Sequence, residues 1–273
     1  MTQAFRIVAW NCRRATQTSA VWDYLLELDP DIALLQEVSG IPDRVAAGYA
    51  VASGVPTTRS GRPQRFRTVL LAKGEILADI ELPAPNDWVA RELDLFKGNF
   101  IARSVRLESG FEVRVISVYC PAFPIDWSRL EGIDPTGIQL TQNRDVWPTE
   151  ILWASLRSMQ IGPADHLVAG GDFNSSETFD THWGKPRGNL ELMERMNALG
   201  LRDCLRAFQR RLVPTFRSPR GGSVIHQIDH LYVTPPLLQR LAQCDVGSSS
   251  RVFEALPALS DHLPIVADFR VRP

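Results

Sequence analysis

Eight residues set the chemical question in this chain: Asn11, Glu37, Tyr119, Asp172, Asn174, Asp229, Asp261 and His262. They cluster where short apolar runs begin or stop. Asn11 follows "VAW", Glu37 follows "IALLQ", Tyr119 follows "RVISV", and Asp172 and Asn174 lie in "GGDFN" after "HLVA". Asp229 lies in "HQIDHLYV", and Asp261 and His262 precede "LPIVADF". Taken singly, Asp and Asn favour turns and strand ends are wet. Taken together, these positions supply several carboxylates, amides and a histidine. Carboxylate, amide oxygen and water are the ligands of a hard divalent cation, and Mg²⁺ keeps enough waters to leave room for a phosphate. An ionised carboxylate buried without a partner costs several kcal/mol. Asp172, ending an apolar run, therefore needs either a turn to cap or a positive partner.

The elements that must position these groups can be read from periodicity. "FRIVAW", "DIALLQEV", "HLVAG", "QIDHLYV" and "HLPIVADFRV" predict strands. "RTVLLAKGEILADIEL" predicts a hairpin turning at Lys73-Gly74, and "FIARSVRLESGFEVRVISVYC" a second one turning at Ser109-Gly110. Helices are predicted in "SAVWDYLLELDPD", with Ser19 as N-cap and Pro30 beyond the end, in "TEILWASLRSM", and in "NLELMERMNALG", stopped by Gly200. Pro83 to Asn99 and Cys120 to Asn143 read as long loops, and loops of that length often bind ligands. Strands and hairpins with interposed helices fit two packed sheets with helices outside. Without repeats or a compositional break, one domain over 1–273 is expected.

Composition narrows the classes. Hydrophobic residues make up 44% of 273 residues, enough for a large core. Thirty basic residues against 31 acidic ones leave a net charge of −1, so any polyanion must be met by a local patch. Cys12, Cys120, Cys204 and Cys244 form no C-x-x-C pair, which excludes a zinc motif or disulfide framework and predicts reduced thiols. The N-terminus lacks a signal-peptide pattern, and no stretch approaches the ~20 apolar residues of a membrane helix. A cytoplasmic location is the expectation.

Six motifs, "WNC", "LLQEV", "VYCP", "GGDFN", "QIDHLYV" and "LSDHLPI", run in that order from residue 10 to residue 266. In this the chain resembles the endonuclease/exonuclease/phosphatase superfamily, which includes exonuclease III, abasic-site endonucleases, deoxyribonuclease I, neutral sphingomyelinases and inositol-polyphosphate 5-phosphatases. The resemblance implies a four-layered α/β sandwich, two mainly antiparallel sheets flanked by helices, and Mg²⁺-dependent phosphoester hydrolysis, with Mn²⁺ able to substitute. It implies Glu37 as main metal ligand, with Asn11 and Asp261 close to the ion. Asp172 would orient or deprotonate the attacking water, Asn174 would position it, and Tyr119 would bond a phosphate oxygen. His262, held by Asp229, would contact the scissile phosphate. Which of Asp172 and the His262–Asp229 pair takes the proton stays open. His262 is expected at the site's rim, with little part in stability.

Other residues carry less. His230 should point to the face opposite Asp229 and pack or meet solvent, as should His166 and His182. Cys12 and Cys120 should turn into the core. Arg13 and Arg14 at the rim, and Arg62 and Arg65 within "TTRSGRPQRFR", suit phosphate contacts. Trp88, Trp127, Trp147 and Trp183, in or beside predicted loops, suit base stacking or loop packing. Val38 and Ser39 follow Glu37 where exonuclease III-like members usually carry a lysine, and "CRRA" follows Asn11 where abasic-site enzymes commonly have a glycine turn. A nuclease acting on nucleic acid is expected first. A phosphatase or phosphodiesterase for a lipid head group or small phosphoester, and a silent phosphate-binding module, are the alternatives.

Overall fold

The computed structural model describes residues 4–182, 187–218 and 223–271. Among them lie twelve strands and nine α-helices. The strands are β1 (Ala4–Ala15), β2 (Ile32–Val38), β3 (Ala50–Gly54), β4 (Arg67–Ala72), β5 (Gly74–Asp79), β6 (Phe100–Leu107), β7 (Glu112–Tyr119), β8 (Leu167–Asp172), β9 (Arg202–Asp203), β10 (Asp229–Val233), β11 (Leu241–Val246) and β12 (Ile265–Arg270). The helices are α1 (Val21–Leu28), α2 (Asp43–Ala46), α3 (Asp87–Leu95), α4 (Pro148–Ser158), α5 (Glu177–His182), α6 (Asn189–Ala198), α7 (Cys204–Gln209), α8 (Pro235–Leu238) and α9 (Ser249–Phe253).

The strands form two six-stranded sheets, ordered β11-β12-β1-β2-β4-β3 and β5-β6-β7-β8-β10-β9. Each has one parallel pair, β1 with β2 and β7 with β8, and is otherwise antiparallel. This is the four-layered sandwich the sequence predicts. Alternation divides the core. Phe5, Ile7 and Ala9 of β1 pack inward against the second sheet's Val113, Val115 and Val168. Val8, Trp10 and Cys12, one residue out of phase, pack under α1 with Val21, Trp22 and Leu25. Ile116, Val118 and Ala169 face outward beneath α3, α4 and α6.

Three readings of the sequence need correction. Lys73-Gly74 does not close a hairpin. Strand β4 is already paired on both sides, by β2 and β3, so β5 crosses to the other sheet and pairs with β6. Gly74 makes that crossing possible, with φ 115 and room for no Cβ, which would stand 2.3 Å from the Arg106 carbonyl oxygen. The Pro83–Asn99 loop contains helix α3. Asn86 caps it by accepting a hydrogen bond from the Val89 N–H, and Trp88, Val89 and Leu93 bury its inner face. Trp88 is thus a core residue, not an exposed aromatic. Ser19 does not cap α1, whose N-cap is Ala20; the Ser19 hydroxyl accepts from the Thr16 N–H instead. Trp183 lies outside the described residues.

Two adjacent glycines bring the sheets together at the end of β8. A Cβ on Gly170 would stand 2.5 Å from Leu231 Cδ1 and 2.9 Å from Leu34 Cδ1. Gly171, at φ 137, leaves only 2.2 Å to the Val118 carbonyl oxygen and 2.5 Å to Gln36 Nε2. Gly171→Ala should therefore destabilise the chain by roughly 2–6 kcal/mol, summing backbone strain and overpacking. Urea unfolding monitored by fluorescence would read this, and a loss below about 0.5 kcal/mol would contradict the assigned backbone.

Candidate active site

Register places the polar strand ends in a row. In the second sheet Tyr119 pairs with Asp172, and Asp172 with Asp229, across β7, β8 and β10. In the first sheet Asn11 pairs with Gln36 across β1 and β2. The sheets meet at these ends, where Asn11 Nδ2 donates to Asp172 Oδ2 at 2.9 Å. Asn174 reinforces the same carboxylate: its backbone N–H donates to Asp172 Oδ1 at 2.9 Å and its Nδ2 to Oδ2 at 3.1 Å.

Local backbone then aims the side chains. Six non-glycine residues among those described have positive φ, and four of them are Arg13 (46°), Arg14 (59°), Glu37 (55°) and Asn174 (48°). Ladder pairing shifts register between Asn11 and Ala15 and between Leu35 and Val38. Such conformations cost on the order of 1–3 kcal/mol each and persist where surroundings fix them. Their concentration at one end of the sandwich marks that end as built for more than packing. Because β2 is irregular at this point, Glu37 is half-exposed while Gln36 is fully buried between the sheets.

His262 is 5% exposed, so it is a buried residue and not a rim histidine. Its Nδ1 lies 2.9 Å from Asp229 Oδ2, and its Nε2 lies 4.0 Å from Asp261 Oδ1. Burial alone would lower its pKa. The Asp229 carboxylate, by charge and hydrogen bond, overrides that and raises it to about 10. Asp172 moves the other way in charge: burial pushes its pKa up to about 7, the Asp229 charge adds to the rise, and His262 opposes it. Burial, then the Glu37 charge, raises the Tyr119 phenol, whose hydroxyl donates to Glu37 Oε1 at 3.2 Å.

Asp172, Asp229 and His262 each offer a ligand atom within 4.8 Å of the others. His262 Nδ1 is committed to Asp229, and Asp229 also accepts from the Thr215 hydroxyl at 2.6 Å. Among the described residues no ion pair forms with Glu37 or Asp172, while Asp261 approaches Arg13 at 3.8 Å. An acidic, amide-rich set short of positive partners suits a hard cation.

The predicted residues divide in their placement. Asn11, Glu37, Tyr119, Asp172, Asn174, Asp229, Asp261 and His262 converge through the contacts above. Arg13 and Arg14 flank them, Arg14 lying 5.9 Å from the Phe66 ring centre, and Phe66 packing edge-on against Tyr119 at 5.4 Å. Arg62 and Arg65 are exposed on the loop that leads to Phe66, and among the described residues no ion pair ties them to the site. Cys12 and Cys120 are buried with the other two thiols, all free. His230 is buried, His166 half-buried and His182 exposed. Four residues escaped the sequence reading. Thr215 anchors Asp229. Ser260 donates to the Asn11 carbonyl at 2.6 Å and accepts from the His262 N–H at 3.1 Å. Trp10 Nε1 donates to the His262 carbonyl at 2.8 Å. Phe216 sits 5.0 Å from the His262 ring. Each is an ordinary residue whose part depends on a distant partner, and only "WNC" and "LSDH" held a local hint, through their tryptophan and serine.

A cavity of about 300 Å³ opens beside Asn174, lined by Trp147, Phe179, Leu140, Asn143 and Asn189 among others. Its walls come from the long loop before α4 and from α5 and α6. The buried Glu150 carboxylate fixes two of them, accepting from the Leu140 N–H at 2.7 Å and the Trp147 N–H at 2.8 Å.

A layered sandwich with this strand-end set defines the class as phosphoester hydrolase. Residues 8–262 match the Endonuclease/Exonuclease/phosphatase family, and the chain belongs to it. No curated protein matches the sequence closely enough to count as a relative. Among solved structures, it is similar to an AP endonuclease from Archaeoglobus fulgidus, at 20% identity and TM-score 0.67, covering 97% of this chain and 99% of that one. A 3′-5′ exonuclease (NExo) from Neisseria meningitidis is similar at 23% identity and TM-score 0.65, with the same coverage. A Neisseria 3′ phosphatase NExo variant bound to a product DNA hairpin is similar at 21% identity and TM-score 0.65, covering 97% and 99%. These likenesses show the fold.

His262 is held protonated in the folded chain well above its ordinary ~6.5. The associated stability is complete below about pH 6.5 and is lost as pH rises toward about 10. Asp229→Asn should shrink that loss and move the alkaline limb of any pH–rate profile toward acid. Urea midpoints at pH 6 and pH 9.5 provide the comparison, and an unchanged difference would separate His262 from Asp229.

Proposed function

We propose that the chain is a divalent-metal-dependent phosphodiesterase acting on nucleic acid, its residues 1–273 working as one catalytic unit. One observation carries this reading: the buried Asp172–Asp229–His262 cluster lies one hydrogen bond from Asn11, on a sandwich edge that also bears Glu37 and Tyr119.

Glu37, with Asn11 and Asp261, would hold Mg²⁺, or Mn²⁺ in its place. When bound, the ion would supply charge stabilisation for the phosphate oxygens. The chain's own groups do the rest. Asp172, whose pKa sits near 7, accepts the proton of the attacking water. His262, kept protonated by Asp229, has no free lone pair for that task, and instead meets developing negative charge on the phosphate. Asn174, bonded to both Asp172 and the Cys120 carbonyl, orients the water. Tyr119 would turn its single hydroxyl hydrogen from Glu37 to a phosphate oxygen.

Several features support a nucleic acid substrate. Arg13 and Arg14 flank the site, and Arg62 and Arg65 are exposed on the loop that leads to Phe66, which packs on Tyr119; together they would offer a cationic rim to a polyanion. Arg59, on the same loop as Arg62, lies 3.8 Å from Asp126, next to Trp127, which is 52% exposed. Arg59 and an exposed indole thus lie on adjoining segments, a combination of charge and stacking surface suited to single strands. The cavity beside Asn174 has aromatic and amide walls suited to one unstacked base. The DNA-bound Neisseria phosphatase and the archaeal AP endonuclease share the fold.

A chelator should abolish hydrolysis of single-stranded, duplex and abasic DNA, RNA and bis-p-nitrophenyl phosphate, and Mg²⁺ should restore it. Glu37→Gln should demand more metal for the same rate while melting near the wild-type temperature. Full activity without metal would end this reading, as would turnover confined to inositol phosphates. Arg62→Ala combined with Arg65→Ala should weaken DNA binding uniformly across sequences and flatten the plot of log K against log salt by about two contacts. Fluorescence anisotropy at graded salt would measure it, and an unchanged slope would assign the loop to plain solvated surface.

A further inference from the structure

Strand β10 opens with two ionisable residues, and alternation sends them to opposite faces. Asp229 turns to His262. His230 turns to the outer layer, 2% exposed, between Phe173 (ring centres 5.6 Å apart) and Tyr232 (5.4 Å). Its Nδ1 lies 2.6 Å from Asp203 Oδ2 and its Nε2 lies 2.9 Å from the Ser175 carbonyl oxygen. Both of these partners are acceptors; the Gln227 amide nitrogen, 3.4 Å from Nδ1, already donates to Asp203 at 3.0 Å. A neutral imidazole carries one N–H and would leave one of these contacts as two facing lone pairs; only the imidazolium donates to both.

The surroundings are arranged for that charged form. Asp203 is itself fixed, accepting from the Arg206 N–H at 3.0 Å and from Gln227 Nε2 at 3.0 Å. Asp229 adds negative charge from the neighbouring position, Arg206 is engaged with Glu177 at 2.5 Å, and Tyr232 is the other titratable group against the ring. Burial favours the neutral ring, but Asp203 and the Ser175 carbonyl outweigh it, so the His230 pKa is raised.

Ser175 directly follows Asn174, which is held at φ 48. Three hydrogen bonds made by Asn174 itself, two to Asp172 and one to the Cys120 carbonyl, restrain that conformation from one side. The His230 bond to Ser175 restrains it from the other, and comes from a different strand.

We propose that His230, as an imidazolium clamped by Asp203, is a positioning residue that sets the Asn174–Ser175 backbone. Consecutive residues of β10 thereby hold two separate parts of the site: Asp229 holds the imidazole of His262, and His230 holds the loop that carries Asn174. The activity arm of the test rests on the phosphodiesterase reading; the spectroscopic arm does not.

Long-range ¹H–¹⁵N NMR of the ¹⁵N-histidine-labelled full chain reads the protonation directly. Both His230 ring nitrogens should be of N–H type from pH 6 to pH 8, and Asp203→Asn should shift the Asn174 and Ser175 amide signals. A single N–H with one bare nitrogen at pH 7, or unmoved amides, would overturn the proposal. In kinetics, His230→Leu should lower kcat about 10–100-fold with KM within about twofold, as for small misplacements of reacting groups. His230→Gln, which keeps an N–H for Ser175, should recover part of the loss. Val213→Ala, a core truncation that leaves Ser175 untouched, should lower the melting temperature but keep kcat. Unchanged kcat in His230→Leu, assayed well below its melting temperature, would overturn the positioning role. If that variant does not fold, Asp203→Asn and the NMR signature decide. Absence of any hydrolysis by the wild type would sink the phosphodiesterase reading alone, leaving the NMR result to judge His230.

Discussion

Two carboxylates buried where the sheets meet set the terms for everything around them. Asp172 is 1% exposed and Asp229 is fully buried. A buried charge left unpaired costs several kcal/mol, so each must be met by fixed donors or a cation. Asp229 is met by Thr215 and His262, and Asp172 by Asn11 and Asn174. The Asn11 contact also ties one sheet to the other. The compensation of Asp172 is incomplete, which is why burial lifts its pKa to about 7. A group that is buried, ionisable and only partly satisfied is ready to bind a cation or exchange a proton.

Rigid packing makes that incompleteness tolerable. The paired glycines of β8 let Leu231, Leu34 and Gln36 close over the strand, so the Asp172 backbone cannot relax toward water. Segment 215–217 is zipped between His226 and residues 261–263, with Leu263 N–H donating to the Thr215 carbonyl at 2.7 Å and Arg217 N–H to the Asp261 carbonyl at 2.9 Å. This places Thr215 under Asp229 and His262 over it. Left-handed backbone at Glu37 and Asn174 persists because two sheets and their ladders leave no cheaper arrangement nearby.

The parts that would meet a substrate are built differently. They are irregular segments pinned at a few points. Glu150 pins Leu140 and Trp147, and its own burial raises its pKa to about 8. Arg195 pins the Ile138 and Gln139 carbonyls, at 2.5 Å and 2.9 Å. Phe66 anchors the arginine loop against Tyr119. The solved structures that are similar to this chain at 20–23% identity share the sandwich.

The polar residues that the two sheets bring together were legible from sequence because strand ends announce themselves: an apolar alternating run begins or stops, and an ionisable or amide side chain stands there. Asn11, Glu37, Asp172 and His262 could be picked out that way, and the order of motifs pointed to the sandwich. Helix α3 was not legible, since its nine residues, "DWVARELDL", sit behind prolines and carry charge at a density that reads as loop. The sheet change after β4 was hidden as well, because whether a strand edge is free for a hairpin depends on pairing with β2 and β3. Burial of His262, the anchoring by Thr215, Ser260 and Trp10, and the paired acceptors around His230 were decided by tertiary structure alone. Sequence determines which groups can donate, accept or ionise, and which face of a strand they take. The partner that each meets comes from segments tens to hundreds of residues away, and only the closed sandwich brings them within hydrogen-bonding distance.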